Sequence, residues 1–241
     1  MTGVGGGALV APALYAVLGL AYTESVGLSL LFSIFTKVFG AAAHVRQGTV
    51  LWRVTLLYGL TGIPGAIAGS WLIHLAGAQG ERVFPFVMVA VLVLVAALLL
   101  LETGIRSIAA WGKPLSPHVL TWRGVVAIGV FQLVVGVLLG VTSVGSGSLV
   151  ILSMVYLFRM TAQQIIGSNI VIALIMVIPA GLTHALAAGV RWPLLGLLLA
   201  GSLVGALAGA RATVRLPERG LKVTIVVLVL VAALATLLRA A

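Results

Sequence analysis

Thr142-Ser143-Val144-Gly145-Ser146-Gly147-Ser148-Leu149-Val150 restates Thr2-Gly3-Val4-Gly5-Gly6-Gly7-Ala8-Leu9-Val10 at an offset of 140 residues. The same offset, without a gap, pairs Gly27 with Gly167, His44 with His184, Val50 with Val190 and Trp52 with Trp192. It then pairs Gly65-Ala66-Ile67-Ala68-Gly69 with Gly205-Ala206-Leu207-Ala208-Gly209. The chain is therefore a duplication. An apolar chain built from two copies of one unit is the sequence pattern of a secondary transporter.

Composition sets the solvent. Of 241 residues, 62% are apolar and 7% charged, where a soluble domain carries about 25% charged residues. Apolar stretches fall at 7–21, 25–43, 50–75, 83–102, 124–141, 148–158, 163–188, 192–214 and 220–239, and most approach the roughly 20 residues that span a bilayer. The expected fold is an all-α polytopic membrane protein of eight or nine full- or half-length helices. The 148–158 stretch is too short to span alone and forms a hairpin with 124–141, broken at Val144-Gly145-Ser146-Gly147. The organisation reads as repeat one over 1–103, a polar linker over 104–123 and repeat two over 124–241. The helix that precedes the glycine motif in repeat two has no counterpart before Thr2. A start placed too far downstream, or a truncation, is the preferred reading, ahead of loss of that helix.

The net charge of +10 is a topology signal, not a nucleic-acid one. With inverted repeats, Arg46, Arg53, Arg106, Lys113, Arg123, Arg159, Arg211, Arg215, Arg219 and Lys222 share one face. Arg82, Arg191 and Arg239 share the other with Glu24 and Glu81. A parallel duplication would divide these charges nearly evenly, so the positive-inside rule favours inverted repeats with the first face cytoplasmic. The absence of cysteine excludes disulfides, thiol redox chemistry and thiolate metal sites. Carboxylate pairs, HExxH and Ser/His/Asp arrangements are missing too, so no intramembrane hydrolase is read. The repeat-matched histidines, His44 and His184, number one per unit and do not make the paired ligand helices that a membrane haem needs.

The candidate site residues follow from the repeat. Gly5, Gly6 and Gly7, and Gly145, Ser146, Gly147 and Ser148, each precede a helix. Glycine lets backbone N–H groups turn inward, and the helix adds its positive end, so each motif is a candidate anion cradle. Close helix packing is the competing reading. Ser29 and Asn169 occupy equivalent positions inside apolar helices and are read equally as pathway lining or interhelical hydrogen bonds. Lys37 is the one basic residue well inside a span, where it either faces an anionic substrate or extends to the interface. His44 and His184 stand near the ends of equivalent helices. Capping of the last carbonyls is favoured over a proton or anion relay. The two GxxxG patterns are expected to be packing faces. Trp52 and Trp192 are expected to be interfacial anchors, and Pro64 and Pro179 to kink their helices.

These residues resemble the TauE/SafE family of sulfite exporters and related sulfur-compound permeases over essentially the whole chain. Its carriers in repeat one are Gly3-Val4-Gly5-Gly6-Gly7-Ala8-Leu9-Val10-Ala11-Pro12, Gly27-Leu28-Ser29, His44-Val45-Arg46-Gln47-Gly48-Thr49-Val50-Leu51-Trp52 and Gly62-Ile63-Pro64-Gly65. In repeat two they run from Val144 through Gly167-Ser168-Asn169 to His184 and Trp192. Order, spacing and duplication carry the resemblance more than any single motif. It implies a multi-pass inner-membrane permease, not an enzyme, for sulfite, an organosulfonate or another small anion, moved by alternating access without a cofactor or metal. A passive anion channel and a non-transporting membrane scaffold are the alternatives. The implied partners are the small anion and the lipid bilayer, with a homodimer left open and nucleic acid excluded. The chain departs from the family pattern in the missing first helix, in Ser146 and in Lys37.

Overall fold

The computed structural model describes residues 7–105, 121–145, 147–158, 160–213 and 218–241. Among them the helices are α1 (Gly7–Ala16), α2 (Tyr22–Arg46), α3 (Trp52–Leu75), α4 (Gly77–Ile105), α5 (Trp122–Thr142), α6 (Ser148–Leu157), α7 (Ala162–Ala188), α8 (Trp192–Thr213) and α9 (Glu218–Ala240). Six of them, α2 to α5, α7 and α9, are long and apolar enough to cross a membrane. Two are half-length, α1 and α6, and each stands at the position where one copy of the glycine motif ends. Two helices differ most from their expected spans: α1 ends early because the chain turns at Val17–Leu20, with Gly19 in the left-handed region, and α4 already begins at Gly77, ahead of the expected 83.

Packing follows the offset. A methyl group added at Gly27 of α2 would press on His184 of α7, and one at Gly167 of α7 would meet His44 and Thr49. Adding 140 to one contact and subtracting it from the other converts each into its counterpart. Gly27 lies opposite His184 while Gly40 lies opposite Ile170, so numbers rise on α2 as they fall on α7. The equivalent helices are antiparallel, as inverted copies require. Prolines 12, 64, 85 and 179 lie within continuous helices.

The central seam joins α3, α5 and α7. Gly65 lies on the Leu133 backbone and Gly69 on Val137, while Gly136 and Gly140 meet the backbone around Gly62 and Ala66. Numbers rise together, so α3 and α5 run parallel with backbones in contact. Small residues permit this approach in a bilayer, where burial of apolar surface does not drive helices together. The packing-face reading thus holds for Gly65-xxx-Gly69. Its counterpart differs: nothing lies within 4 Å of a methyl built at Gly205, and the surroundings of Gly209 are outside the described residues. The outward surface is apolar, with Phe39, Leu186, Leu203 and Leu238 exposed, which suits lipid.

Polar contacts sort the two ends of the bundle. Arg191 Nε is 2.6 Å from Glu24 Oε1. Glu81 accepts from the backbone N–H of Tyr22 at 2.6 Å and of Thr23 at 2.9 Å, placing its carboxylate on the positive end of α2. Arg239 donates to the Gly19 carbonyl at 2.8 Å and stacks on Tyr15. These contacts gather Glu24, Glu81, Arg191 and Arg239 at one end. The opposite end receives the α2 C-terminus with Arg46 and the α3 and α5 N-termini with Arg53 and Arg123. Arg106, Lys113, Arg159 and Arg215, and the side chains of Arg211, Arg219 and Lys222, lie outside the described residues. Trp52 and Trp192 are both largely exposed at helix starts, one at each end, as interfacial anchors should be.

Candidate functional site

The turn between α5 and α6 is held in an unusual backbone. Ser143, directly after α5, has φ 60°, the sole described non-glycine residue in the left-handed region, and Gly145 has φ 103°. A left-handed residue after a helix is most often glycine, which adopts it without steric cost. Here Ser143 Oγ lies 2.8 Å from Ser29 Oγ of α2. Thr142 Oγ1 accepts from the Val144 N–H at 3.1 Å, and Tyr22 donates to the Val141 carbonyl at 3.0 Å. Ser29 is seven residues into α2, so the turn sits ~10 Å below the Glu24 end.

The predicted residues are distributed unevenly about this turn. Gly147 caps α6 and Ser148 is its first residue. Gly7 opens α1. Gly5, Gly6 and Ser146 lie outside the described residues, so the turn of repeat one and its relation to this one are not described. Ser29 reaches across to another helix. Asn169 is buried, and its Oδ1 has no partner among the described residues. The offset makes Gly3, also undescribed, the counterpart of Ser143. Lys37 is half-buried on α2 and pairs with no described carboxylate. Ser25, Ser29, Ser33 and Lys37 stand four residues apart, on one helical face. Lys37 is thus ~12 Å along the helix axis from Ser29, on the same stripe but not at the turn.

The histidines depart from the capping expectation. His184 does not close its own helix. Its Nε2 lies 3.1 Å from the Gly140 carbonyl of α5 and its Nδ1 3.0 Å from His74 Nε2 of α3. A tertiary partner won because α7 continues to Ala188, leaving His184 a full turn inside the helix. His44 bonds Thr49 Oγ1 at 2.9 Å, and the Thr49 hydroxyl also approaches the His44 carbonyl at 3.1 Å. There the threonine, not the histidine, satisfies the helix end.

A cavity of about 280 Å³ opens between the first half of α2 and the end of α7. Glu24 and Arg191 stand at its mouth and Gly27 and His184 line it, with Leu28, Leu31 and Gly189 among the walls. This volume is at the small end of ligand sites, which run from about 300 to 1,000 Å³. Its offset counterpart at the other end is filled. Thr49, in the position of Gly189, lies against Gly167, and the Leu51 N–H donates to Ser168 Oγ at 3.0 Å. The sequence reading missed His74, which no repeat partner marks since its counterpart is Val214. It also missed Gln132, fully buried on α5 with both amide atoms unpartnered among the described residues. A lone glutamine in an apolar run was the available signal for the second. Among the described residues no cluster of metal-ligating side chains occurs.

Comparison with known proteins agrees with this architecture. The family described as sulfite exporter TauE/SafE matches residues 1–236. A probable membrane transporter protein, YjnA of Bacillus subtilis (strain 168), is 34% identical over 238 residues, covering 97% of this chain and 92% of the relative. A second from the same organism, YunE, also named a probable membrane transporter protein, is 23% identical over 80% of this chain and 75% of its own. A probable membrane transporter protein of Xylella fastidiosa (strain 9a5c) is 26% identical over 70% and 62%. No solved structure matches.

Proposed function

From the premise that this chain belongs to the TauE/SafE sulfite exporter family of membrane transporters, we propose that it carries a small anion, sulfite or an organosulfonate, across the plasma membrane by alternating access. The carrying observation is the one-sided cavity between antiparallel, sequence-equivalent helices. Two inverted copies have two equivalent packings available, so a cavity open at the Glu24 end and filled at the other represents one of two related states. Exchange of the two packings would open the opposite end around the same site.

The cargo follows from the donors. Arg191 and His184 line the cavity, and His184 meets the carbonyl of Gly140, three residues before Ser143 in the turn that leads into α6. Unpaired N–H groups at the start of α6 and its positive helix end favour an anion. We assign the anion to this turn, to Gly145, Ser146, Gly147 and Ser148. The same role in repeat one is assigned to Gly5, Gly6 and Gly7 from their sequence equivalence, with Ser29, Asn169 and Lys37 assigned to the path and Lys37 adding positive potential. His44 and His184 serve as relays. The positive-inside rule sets the Arg46 end in the cytoplasm, so the cavity faces outward.

Uptake of labelled sulfite into proteoliposomes tests this reading. Saturable uptake driven uphill by an imposed ion gradient is the expected result. Flux that only ever runs down the sulfite gradient would make the protein a channel. No flux of sulfite, sulfoacetate or methanesulfonate would leave the transport reading without its substrate class.

A further inference from the structure

The His74–His184 contact has a fixed direction of hydrogen bonding. The Gly140 carbonyl can only accept, so His184 Nε2, 3.1 Å away, carries a hydrogen. In neutral imidazole the other nitrogen is then an acceptor. His184 Nδ1 therefore accepts from His74 Nε2 at 3.0 Å, leaving His74 Nδ1 as the basic nitrogen of the pair. The two rings are tilted at 58° with centroids 4.8 Å apart. A proton added at His74 Nδ1 preserves both bonds and makes the pair a cation. One added at His184 Nδ1 would set N–H against N–H and sever the tie between α3 and α7.

The pair is also placed to feel an anion. His184 lines the cavity, and His74 is its direct neighbour on α3. The other charged groups nearby are committed elsewhere: Glu24 and Arg191 to each other, and Glu81 to Tyr22 and Thr23. Tyr22 itself donates to Val141, and the α5 partner is a backbone carbonyl. We propose that the His74–His184 pair is a proton-binding site linked to the cavity, so that one proton binds together with the anion. This deepens the transport reading and rests on it. Linkage is reciprocal: a bound proton raises affinity for the anion by the factor with which the anion raises affinity for the proton.

The test measures binding and proton exchange together in the purified full chain, by calorimetry in buffers of different ionisation enthalpy. Methanesulfonate and sulfate serve as probes because their charge is constant over the range in which histidine titrates, about pH 5 to 8. The wild type should take up about one proton per anion. Its affinity should fall about tenfold per pH unit above the titration of the pair. His74→Gln, which keeps a donor for His184 but cannot titrate, should elute as the wild type does, bind without proton uptake and lose the pH dependence. His184→Gln leaves His74 Nδ1 in place but removes the ring that joins it to the cavity and should reduce the uptake, whereas Glu24→Gln should retain it. Proton uptake unchanged in both histidine variants overturns the proposal, as does wild-type binding without uptake. If neither probe binds while sulfite is transported, titration of the pair on sulfite addition, followed by histidine NMR, decides: an unshifted pair overturns the proposal and leaves the transport reading standing. Failure of binding and transport together overturns both.

Discussion

Ser143 carries two opposed demands. Its left-handed φ costs a side-chain-bearing residue ~1 kcal/mol or more, and its hydroxyl meets Ser29 inside the protein. Interhelical hydrogen bonds within membranes return roughly 0.6–2 kcal/mol. Ser143→Gly removes the strain and the contact together, so thermal unfolding in detergent should shift by less than ~1 kcal/mol. Ser143→Val keeps the strain, adds β-branching and loses the contact, and should cost ~2–3 kcal/mol. Equal tolerance of glycine and valine would mean that the turn is not held as described. The sequence exposed the glycines of this turn but not Ser143 as its left-handed residue, since serine ordinarily avoids that region. Likewise the pairing of His184 with His74 was illegible because it joins residues 110 apart with no shared motif. Ser29, by contrast, was marked by its place between Leu28 and Leu30.

At the level of the helix, one motif has two fates. Gly65-xxx-Gly69 and Gly205-xxx-Gly209 read alike, yet α3 presses the first into the α5 backbone while Gly205 of α8 faces open space. Gly65→Ala should therefore drive a methyl into the Leu133 carbonyl and cost ~1–3 kcal/mol, visible as a lowered unfolding midpoint. Gly205→Ala should stay within ~0.5 kcal/mol of the wild type. Similar losses at both positions would show that α8 is covered in the membrane as α3 is. The long helices themselves were legible because unbroken apolar runs in a chain so poor in charge admit little else. The partner of each face was not, because a small-residue pattern states how close a neighbour can come and not which neighbour it is. Equivalent helix starts differ in the same way. α7 carries its own capping box at Thr161 and Gln164, while α2, which begins after Ala21, borrows Glu81 from α4.

Across the whole molecule the duplication was the legible feature, and the asymmetry laid over it was not. The offset equates Thr49 with Gly189, Ser168 with Leu28 and Leu51 with Arg191. The first member of each pair belongs to the filled end and the second to the open one. Such differences bias two related packings without removing either, and a bias of ~1.4 kcal/mol already gives a tenfold preference. The absence of native cysteine permits a direct reading of that bias. In reconstituted protein, Leu28→Cys should react with a small hydrophilic thiol reagent at least about tenfold faster than Ser168→Cys, a near-isosteric change at its filled counterpart. Adding Thr49→Gly removes the side chain that lies against Gly167 and its bond to His44, and should raise labelling at Ser168→Cys. If the two ends exchange, labelling at Leu28→Cys should fall by a matching factor, because a molecule open at one end is closed at the other. Both sites gaining reactivity together would instead describe a continuous pore, and alternating access would be wrong for this chain.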